Sequence, residues 1–203
     1  NGPMINKEHI DKLYNKLSCL QAGDILILSG SIPKCLSDDI YSEIMEKLAD
    51  KNIEIVVDAT GDLLMKVLKH KPFVIKPNNH ELAEMFHVKL FGTQDIVKYA
   101  KKLQEMGAKN VLISMAGDGA LYICENGKVY FSNAPKGRVK NSVGAGDSMV
   151  AGFVAGYEKT KDYVQAFRMG VATGSASAFS ENLATASEVE KLLQEIKEVE
   201  YEY

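Results

Sequence analysis

Short apolar runs alternate with amphipathic segments between Asn6 and Lys76, and this alternation constrains the fold more than any other feature. The runs Asp24–Ser29, Ile53–Asp58 and Phe73–Lys76 have the length and the Ile, Val and Leu content of buried strands. Apolar strands separated by helices are typical of a parallel sheet that is covered on both faces. We therefore predict an α/β fold. The helices between these strands are predicted at Asn6–Leu20, Ser37–Lys51 and Gly61–Lys69.

Antiparallel pairing is predicted after a further strand at Asn110–Ser114. The Asn-Gly pair between Ala120–Cys124 and Lys128–Ser132 is typical of a β-hairpin, so the sheet should be mostly parallel with an antiparallel edge. We predict one domain over residues 1–203. The remaining predictions are helices at Asn79–Phe86, Thr93–Met106 (capped by Thr93), Ala145–Tyr157, Asp162–Phe179 and from Ser187, a strand at Gly137–Lys140, and a charged tail ending at Tyr203.

Charge and cysteine content exclude several classes of partner. The chain carries 24 Lys and Arg against 27 Asp and Glu, a net charge of −3, whereas a nucleic-acid surface needs a basic excess. Its three widely spaced cysteines indicate neither a disulfide framework nor a zinc site, which favours the cytoplasm. No run approaches the ~20 apolar residues of a membrane helix. We expect neither nucleic acid nor a membrane as a partner.

The loop Asn141–Ser148 leads directly into a predicted helix and has the chemistry of an anion site. Glycines let successive backbone N–H groups face a ligand, and a helix N-terminus stabilises negative charge. Phosphate is the natural occupant, and Asp147 would stand where a carboxylate can accept a proton from a hydroxyl nucleophile. The alternative is that the glycines allow close helix packing and Asp147 is an ordinary first-turn acid.

The segment Lys76–Glu81 follows a predicted parallel strand at the sheet edge where ligands collect in α/β folds. Lys76 and Asn78 can meet phosphates there, and Glu81 can hold Mg²⁺ through water. The alternative is a capping box, with Asn78 as N-cap and Glu81 three residues later.

The turn Ser114–Gly119 offers flexible backbone after a strand. The chain has no Walker GxxxxGK[ST] sequence, and the Gly-Asp-Gly of this turn leads into a strand rather than the helix that a dinucleotide fingerprint requires. A nucleotide site in this chain must therefore be of another type.

Four motifs in this order resemble the PfkB (ribokinase-like) family of sugar kinases. They are Ser29–Pro33, Lys76–Glu81, Ser114–Gly119 and Val143–Ser148, and the resemblance spans nearly the whole chain. The last motif and the lysine at position 76 most resemble the bacterial 1-phosphofructokinase branch. The resemblance implies a three-layer α/β/α sandwich and transfer of the γ-phosphoryl group of ATP to a sugar phosphate, with Mg²⁺.

The resemblance also implies roles for single residues. Asp147 would be the catalytic base, and Ser31 would approach the sugar phosphate. The backbone of Gly144, Ala145 and Gly146 would form the anion hole. Lys76, Asn78 and Glu81 would serve the phosphate and magnesium network, and the nucleotide site would be lined by Ser114, Ala116, Gly117, Asp118 and Gly119. Ala116 stands where many relatives have glycine.

Members of this family normally begin with a segment that holds sugar-binding motifs, several strands and a small β lid that often forms a dimer interface. The Asn1-Gly-Pro start resembles what usually follows that segment. We expect the chain to be the C-terminal, nucleotide-binding part of a kinase that converts fructose 1-phosphate to fructose 1,6-bisphosphate and dimerises through the lid. The alternatives are a tagatose-6-phosphate kinase and a nucleotide-binding piece that has no catalysis on its own.

Overall fold

The computed structural model describes residues 4–201, and seven strands in this range form one sheet whose spatial order follows the chain. The first four strands are parallel, and the last three are added antiparallel. The Asn1-Gly-Pro start and residues 202–203 lie outside the described range. The strands are β1 (Ile25–Ser29), β2 (Glu54–Asp58), β3 (Val74–Ile75), β4 (Asn110–Ser114), β5 (Ala120–Ile123), β6 (Val129–Ser132) and β7 (Glu198–Glu200).

Helices cover both faces of this sheet, which confirms the predicted α/β/α sandwich. Helices α1 to α5 lie on one face and α6 to α8 on the other, each layer with its own apolar core. Short 3₁₀ helices extend α2 and α3 and follow β4. The helices are α1 (Lys7–Ser18), α2 (Ile40–Lys47), α3 (Gly61–Val67), α4 (Asn79–Met85), α5 (Thr93–Glu105), α6 (Ala145–Thr160), α7 (Tyr163–Phe179) and α8 (Ala186–Leu193).

Alternation along the central strands divides the two cores. In β2, Ile55 and Val57 pack under α1 to α5, whereas Val56 packs under α6 to α8. All three side chains are buried, which explains why the strand is apolar at every interior position rather than at every second one.

Close packing of α6 against α7 holds the N-terminal end of α6 over the sheet. A Cβ on Gly152 would stand 2.5 Å from Thr173 Oγ1 and 2.7 Å from the carbonyl oxygen of Met169. A Cβ on Gly174 would stand 3.0 Å from the carbonyl oxygen of Ala145, the first residue of α6. The small residues of these two helices therefore serve packing, and they also fix the position of the preceding loop.

Three local predictions were wrong. The predicted strand at Gly137–Lys140 is irregular, and the Lys140 N–H donates to Ala178 near the end of α7. Part of the predicted charged tail is strand β7, which pairs with β6. The N-cap of α5 is Gly92 rather than Thr93, and it makes no side-chain cap.

Strand β1 forms one edge of the sheet. It pairs with β2 on one side, and no strand of residues 4–201 pairs with its outer side. Its Leu28 is buried under the α1 to α5 layer, but Ile27, on the opposite face, keeps 42% of its surface exposed. An apolar parallel strand is normally covered on both faces. The α6 to α8 layer reaches Ile25 at the start of β1 but leaves Ile27 largely uncovered.

Candidate functional site

Four polar side chains meet where the first three strands end and α6 begins. Ser29 ends β1, Asp58 ends β2, Lys76 directly follows β3, and Asp147 lies in the first turn of α6. The Ser29 hydroxyl donates to Asp147 Oδ1 at 3.4 Å. The carboxyl ends of parallel strands are where α/β folds bind ligands. The structure thus brings Asp147 and Lys76, which the sequence analysis singled out, into one site.

The N-terminal end of α6 presents unpaired backbone donors to this site. Gly144 adopts a left-handed conformation with φ of +79°, which glycine tolerates and other residues rarely adopt. Within the described chain, the N–H groups of Gly146 and Asp147 have no hydrogen-bond partner, while the N–H of Ala145 donates to Ser142. Two free donors at the positive end of a 16-residue helix fit an anion such as a phosphoryl group.

Lys76 lies beside these donors and is buried, with 7% of its surface exposed. Its Nζ forms an ion pair with Asp58 Oδ1 at 3.3 Å. A Cβ on Gly146 would stand 3.2 Å from the same Nζ, so glycine leaves room for the ammonium group against the helix. A buried cation and the positive end of a helix therefore converge on the same point.

Burial raises the pKa of the Asp58 carboxyl, and the negative charges of Asp147 and Glu81 raise it further, whereas Lys76 lowers it. Burial, with the charge of Asp58 as a second cause, also raises the pKa of Tyr41. The Tyr41 hydroxyl donates to the carbonyl oxygen of Ser29 at 2.8 Å, which ties the end of β1 to α2. Three carboxylates thus share this region with a single buried lysine.

Asn78 and Glu81 form the capping box of α4. The Glu81 N–H donates to Asn78 Oδ1 at 2.9 Å, and the Asn78 N–H donates to Glu81 Oε2 at 2.8 Å. The structural alternative from the sequence analysis is therefore confirmed. The cap also holds the Glu81 carboxylate close enough to Asp58 for its charge to act there.

The turn after β4 joins the site through Asn78 but not through Asp147. Ser114 forms an isolated parallel bridge with Asn78. The 3₁₀ helix Ala116–Asp118 is exposed, with no hydrogen bond or ion pair to Asp147 in residues 4–201. Ala116 has a φ of +48°, a left-handed conformation that explains why glycine suits this position. Gly117 and Gly119 complete the turn, and Gly119 also has a positive φ, of +97°.

A cleft of about 530 Å³ adjoins the cluster at the ends of β1 and β2. Ser31 and Asp58 line it, together with Asp38, Asp62 and Lys66. Ser31 therefore lies on the same side of the sheet edge as Asp58. A second cleft of about 590 Å³, between α2 and α3, contains neither Asp58 nor Asp147.

Sequence reasoning missed Asp58 and the contact between Ser29 and Asp147. A signal for Asp58 was available, because an ionisable residue ending an apolar strand stands at the carboxyl edge of a parallel sheet. No local signal could have paired Ser29 with Asp147, because 118 residues separate them.

Within residues 4–201, no group of three or more His, Cys, Asp and Glu side chains is arranged to hold a metal ion. A hydrated Mg²⁺ takes few protein ligands and often one or two carboxylates, so Glu81 and its neighbours fit an ion that is carried largely by phosphate oxygens. None of the helices in this range is both long and apolar enough to cross a membrane.

Comparison with known proteins identifies relatives over nearly the whole chain. A family model described as pfkB family carbohydrate kinase matches residues 2–190. A 1-phosphofructokinase from Bacillus subtilis (strain 168) is 49% identical over 97% of this chain and 64% of its own length. A D-tagatose-1-phosphate kinase from Bacillus licheniformis is 34% identical over 97% of this chain and 64% of its own length. This relative is a 1-phosphate kinase, whereas the sequence analysis named a 6-phosphate kinase as the alternative.

A solved structure agrees with the fold. Phosphofructokinase-2 from Escherichia coli, in complex with substrates and products, superposes with a TM-score of 0.89 at 26% identity. The superposition covers 96% of this chain and 64% of that protein. The chain therefore spans slightly less than two thirds of the length of each of these relatives.

Proposed function

The chain belongs to the PfkB family of carbohydrate kinases, and we propose that the whole protein transfers the γ-phosphoryl group of ATP to fructose 1-phosphate. The products would be fructose 1,6-bisphosphate and ADP. In this proposal the chain is the C-terminal, nucleotide-binding part of that kinase. The observation that carries it is the position of Asp147 beside two free backbone N–H groups at the start of α6.

Asp147 would act as the general base. Its exposed carboxylate can take the proton from the acceptor hydroxyl as that oxygen attacks the γ-phosphorus and ADP leaves. Ser29 donates to Oδ1 and leaves Oδ2 for the substrate, because no hydrogen bond to Oδ2 occurs in the described part of the chain. One carboxylate oxygen is therefore oriented and the other is available.

The backbone from Gly144 to Asp147 would form the anion hole, with the free N–H groups of Gly146 and Asp147 as donors, because the N–H of Ala145 already donates to Ser142. Free N–H groups stabilise the charge on the transferring phosphoryl group without reorganising during the reaction. The Lys76 ammonium group adds a positive charge beside Gly146. Its 8% side-chain exposure limits screening by water, so its effect on a bound phosphate should be larger than that of a surface lysine.

Asn78 and the turn from Ser114 to Gly119 would serve the nucleotide. The turn exposes Ala116, Gly117 and Asp118 on the side of the sheet where β4 ends, and its bridge to Asn78 links it to the phosphate region. Mg²⁺, when bound with ATP, would neutralise charge on the phosphates. Glu81 would hold the hydrated ion through water.

Replacing Glu81 with Gln separates its proposed role in holding Mg²⁺ from its role in capping helix α4. Glutamine keeps the hydrogen bond that closes the capping box, so the melting temperature should stay nearly unchanged. Loss of the charge should raise the Mg²⁺ concentration needed for half-maximal rate by about tenfold or more. The measurement is a magnesium titration of initial rates at fixed ATP.

The matched control is Glu188→Gln, because Thr185 and Glu188 form the same capping box at the start of α8. This variant should leave the magnesium requirement unchanged. If Glu81→Gln instead lowers the melting temperature and leaves the magnesium requirement unaltered, Glu81 is a helix cap only.

The acceptor would bind on the side of Ser31, in the cleft at the ends of β1 and β2. The identity to the Bacillus subtilis relative favours fructose 1-phosphate, and the Bacillus licheniformis relative makes tagatose 1-phosphate the second candidate. We expect the highest kcat/KM with fructose 1-phosphate when ADP release by the whole protein is measured with fructose and tagatose 1- and 6-phosphates. A higher value with a tagatose phosphate would contradict the proposed acceptor.

A second candidate function is nucleotide binding without catalysis by these 203 residues alone. The chain spans 64% of the length of the Bacillus subtilis relative. This favours the second candidate, because the remaining third would hold acceptor contacts and the lid through which a dimer would form. ATP binding without turnover by this chain, alongside an active whole protein, would identify this case.

A further inference from the structure

Asp58 and Lys76 form an ion pair that the proposed chemistry does not by itself require. They follow adjacent parallel strands, where Val57 is in register with Ile75, so the sheet sets their side chains next to each other. Their side chains are 15% and 8% exposed, and Lys76 Nζ lies 3.3 Å from Asp58 Oδ1. Removing two charges from water is costly, so the pair needs a reason beyond stability.

The position of the lysine ammonium group is unusual. It packs against the N-terminal end of α6, 3.2 Å from where a Cβ of Gly146 would stand. Like charge repels it from this end of the helix, because the free N–H groups carry partial positive charge. Lysine also has a flexible four-carbon stem and would move toward water or toward Asp147 without a restraint. Asp58 is the acid to which it is paired.

We propose that Asp58 is a positioning residue that holds the Lys76 ammonium group against the anion hole of α6. In this proposal Asp58 acts on the transferring phosphoryl group through Lys76 and not by direct contact. Lys76 then supplies positive charge at a fixed point beside the N–H groups of Gly146 and Asp147. This inference rests on the proposed function, because it concerns the phosphoryl group that the site would bind.

The test is a double-mutant cycle in the whole protein with Asp58→Asn, Lys76→Met and the combination. Loss of one fixed donor at such a site typically lowers kcat by about 10²-fold. We expect a fall of this order for Lys76→Met and of about tenfold or more for Asp58→Asn, with the sugar phosphate KM changed by less than about threefold. The double variant should be no slower than Lys76→Met, because Asp58 acts through Lys76.

Asp58→Glu tests position without removing charge. The added methylene keeps an ion pair but displaces the ammonium group, and small displacements at a reacting centre can lower rates by about 10²-fold. We expect a lower kcat with nearly unchanged thermal stability. The matched control is Glu54→Gln, which breaks a 3.3 Å ion pair with Lys109 at the other end of the same strand and should leave kcat unchanged.

Two outcomes would overturn the inference. Multiplicative effects in the double variant would give Asp58 a role independent of Lys76, such as a base or a magnesium ligand. A normal kcat for Asp58→Glu would show that the position of Lys76 does not matter. The same cycle, measured as ATP dissociation constants by calorimetry, should show the same non-additivity. If the whole protein turns over no sugar phosphate, the proposed function fails, and the calorimetric cycle alone decides this inference.

Discussion

Replacing Asp147 with Asn in the whole protein should lower kcat for the sugar phosphate by about 10²–10⁴-fold, the usual contribution of a general base. Asparagine has nearly the same size, and its side-chain oxygen can still accept the hydrogen bond from Ser29. It cannot take a proton from the acceptor hydroxyl. The free N–H groups at the start of α6 remain, so the ATP dissociation constant should change little.

Initial rates and calorimetric ATP binding measure the two expectations separately. Asp162→Asn is the matched control, because Asp162 caps the neighbouring helix α7 and asparagine caps helices about as well as aspartate. This control should retain normal turnover. Near-normal turnover by Asp147→Asn would exclude Asp147 as the base and leave it an acid in the first turn of a helix.

The sheet could be predicted because its central strands are apolar at every interior position. Val56 and Val57 have no exposed surface, so the run of apolar residues in the local sequence correctly indicates burial on both faces. The segment Gly137–Lys140 also looks like a strand, but Gly137 packs against the ring of Phe179 and Lys140 bonds to Ala178. Its partner is the end of α7, which no local pattern reveals.

Strand β7 was missed for a related reason. Its residues Glu198 and Glu200 belong to an acidic stretch, which is typical of a solvated surface. The strand forms because β6 offers an open edge and because Glu198 pairs with Arg168 of α7 at 3.2 Å. Charged residues suit an edge strand because they discourage pairing with another molecule.

The candidate site also has one part that the local sequence predicts and another part that it does not. The glycine-rich loop before α6 could be predicted as an anion site because its donors are backbone groups, whose geometry follows from local sequence. Asp58 could have been placed at this sheet edge because it ends an apolar strand, but its ion pair with Lys76 could not, because Lys76 follows the next strand. Alanine itself gives no local signal for the positive φ of Ala116, and the only indication was the glycine that many relatives have at this position.

The open edge of β1 bears on what these 203 residues can do alone. Ile27 is 42% exposed, and no strand in residues 4–201 pairs with the outer side of β1. An apolar strand with one open edge is a template for association with another chain. The cleft beside it is lined by Ser31 and three aspartates but by Lys66 as its single basic side chain, which is a poor complement to a sugar phosphate dianion. Lys66 is also paired with Asp39 at 2.7 Å.

We therefore expect the isolated chain to bind ATP weakly and to phosphorylate no fructose 1-phosphate. Phosphoryl transfer depends on holding the acceptor hydroxyl in line with the γ-phosphorus, and poor positioning is costly even when the base and the anion hole are intact. A coupled ADP-release assay on the purified chain, with the whole protein assayed in parallel, measures this. Size-exclusion chromatography should show self-association that Ile27→Lys reduces, because a charge on an exposed edge strand opposes pairing. Turnover by the isolated chain comparable with that of the whole protein would show that these residues suffice to hold the acceptor in line, and it would contradict the prediction.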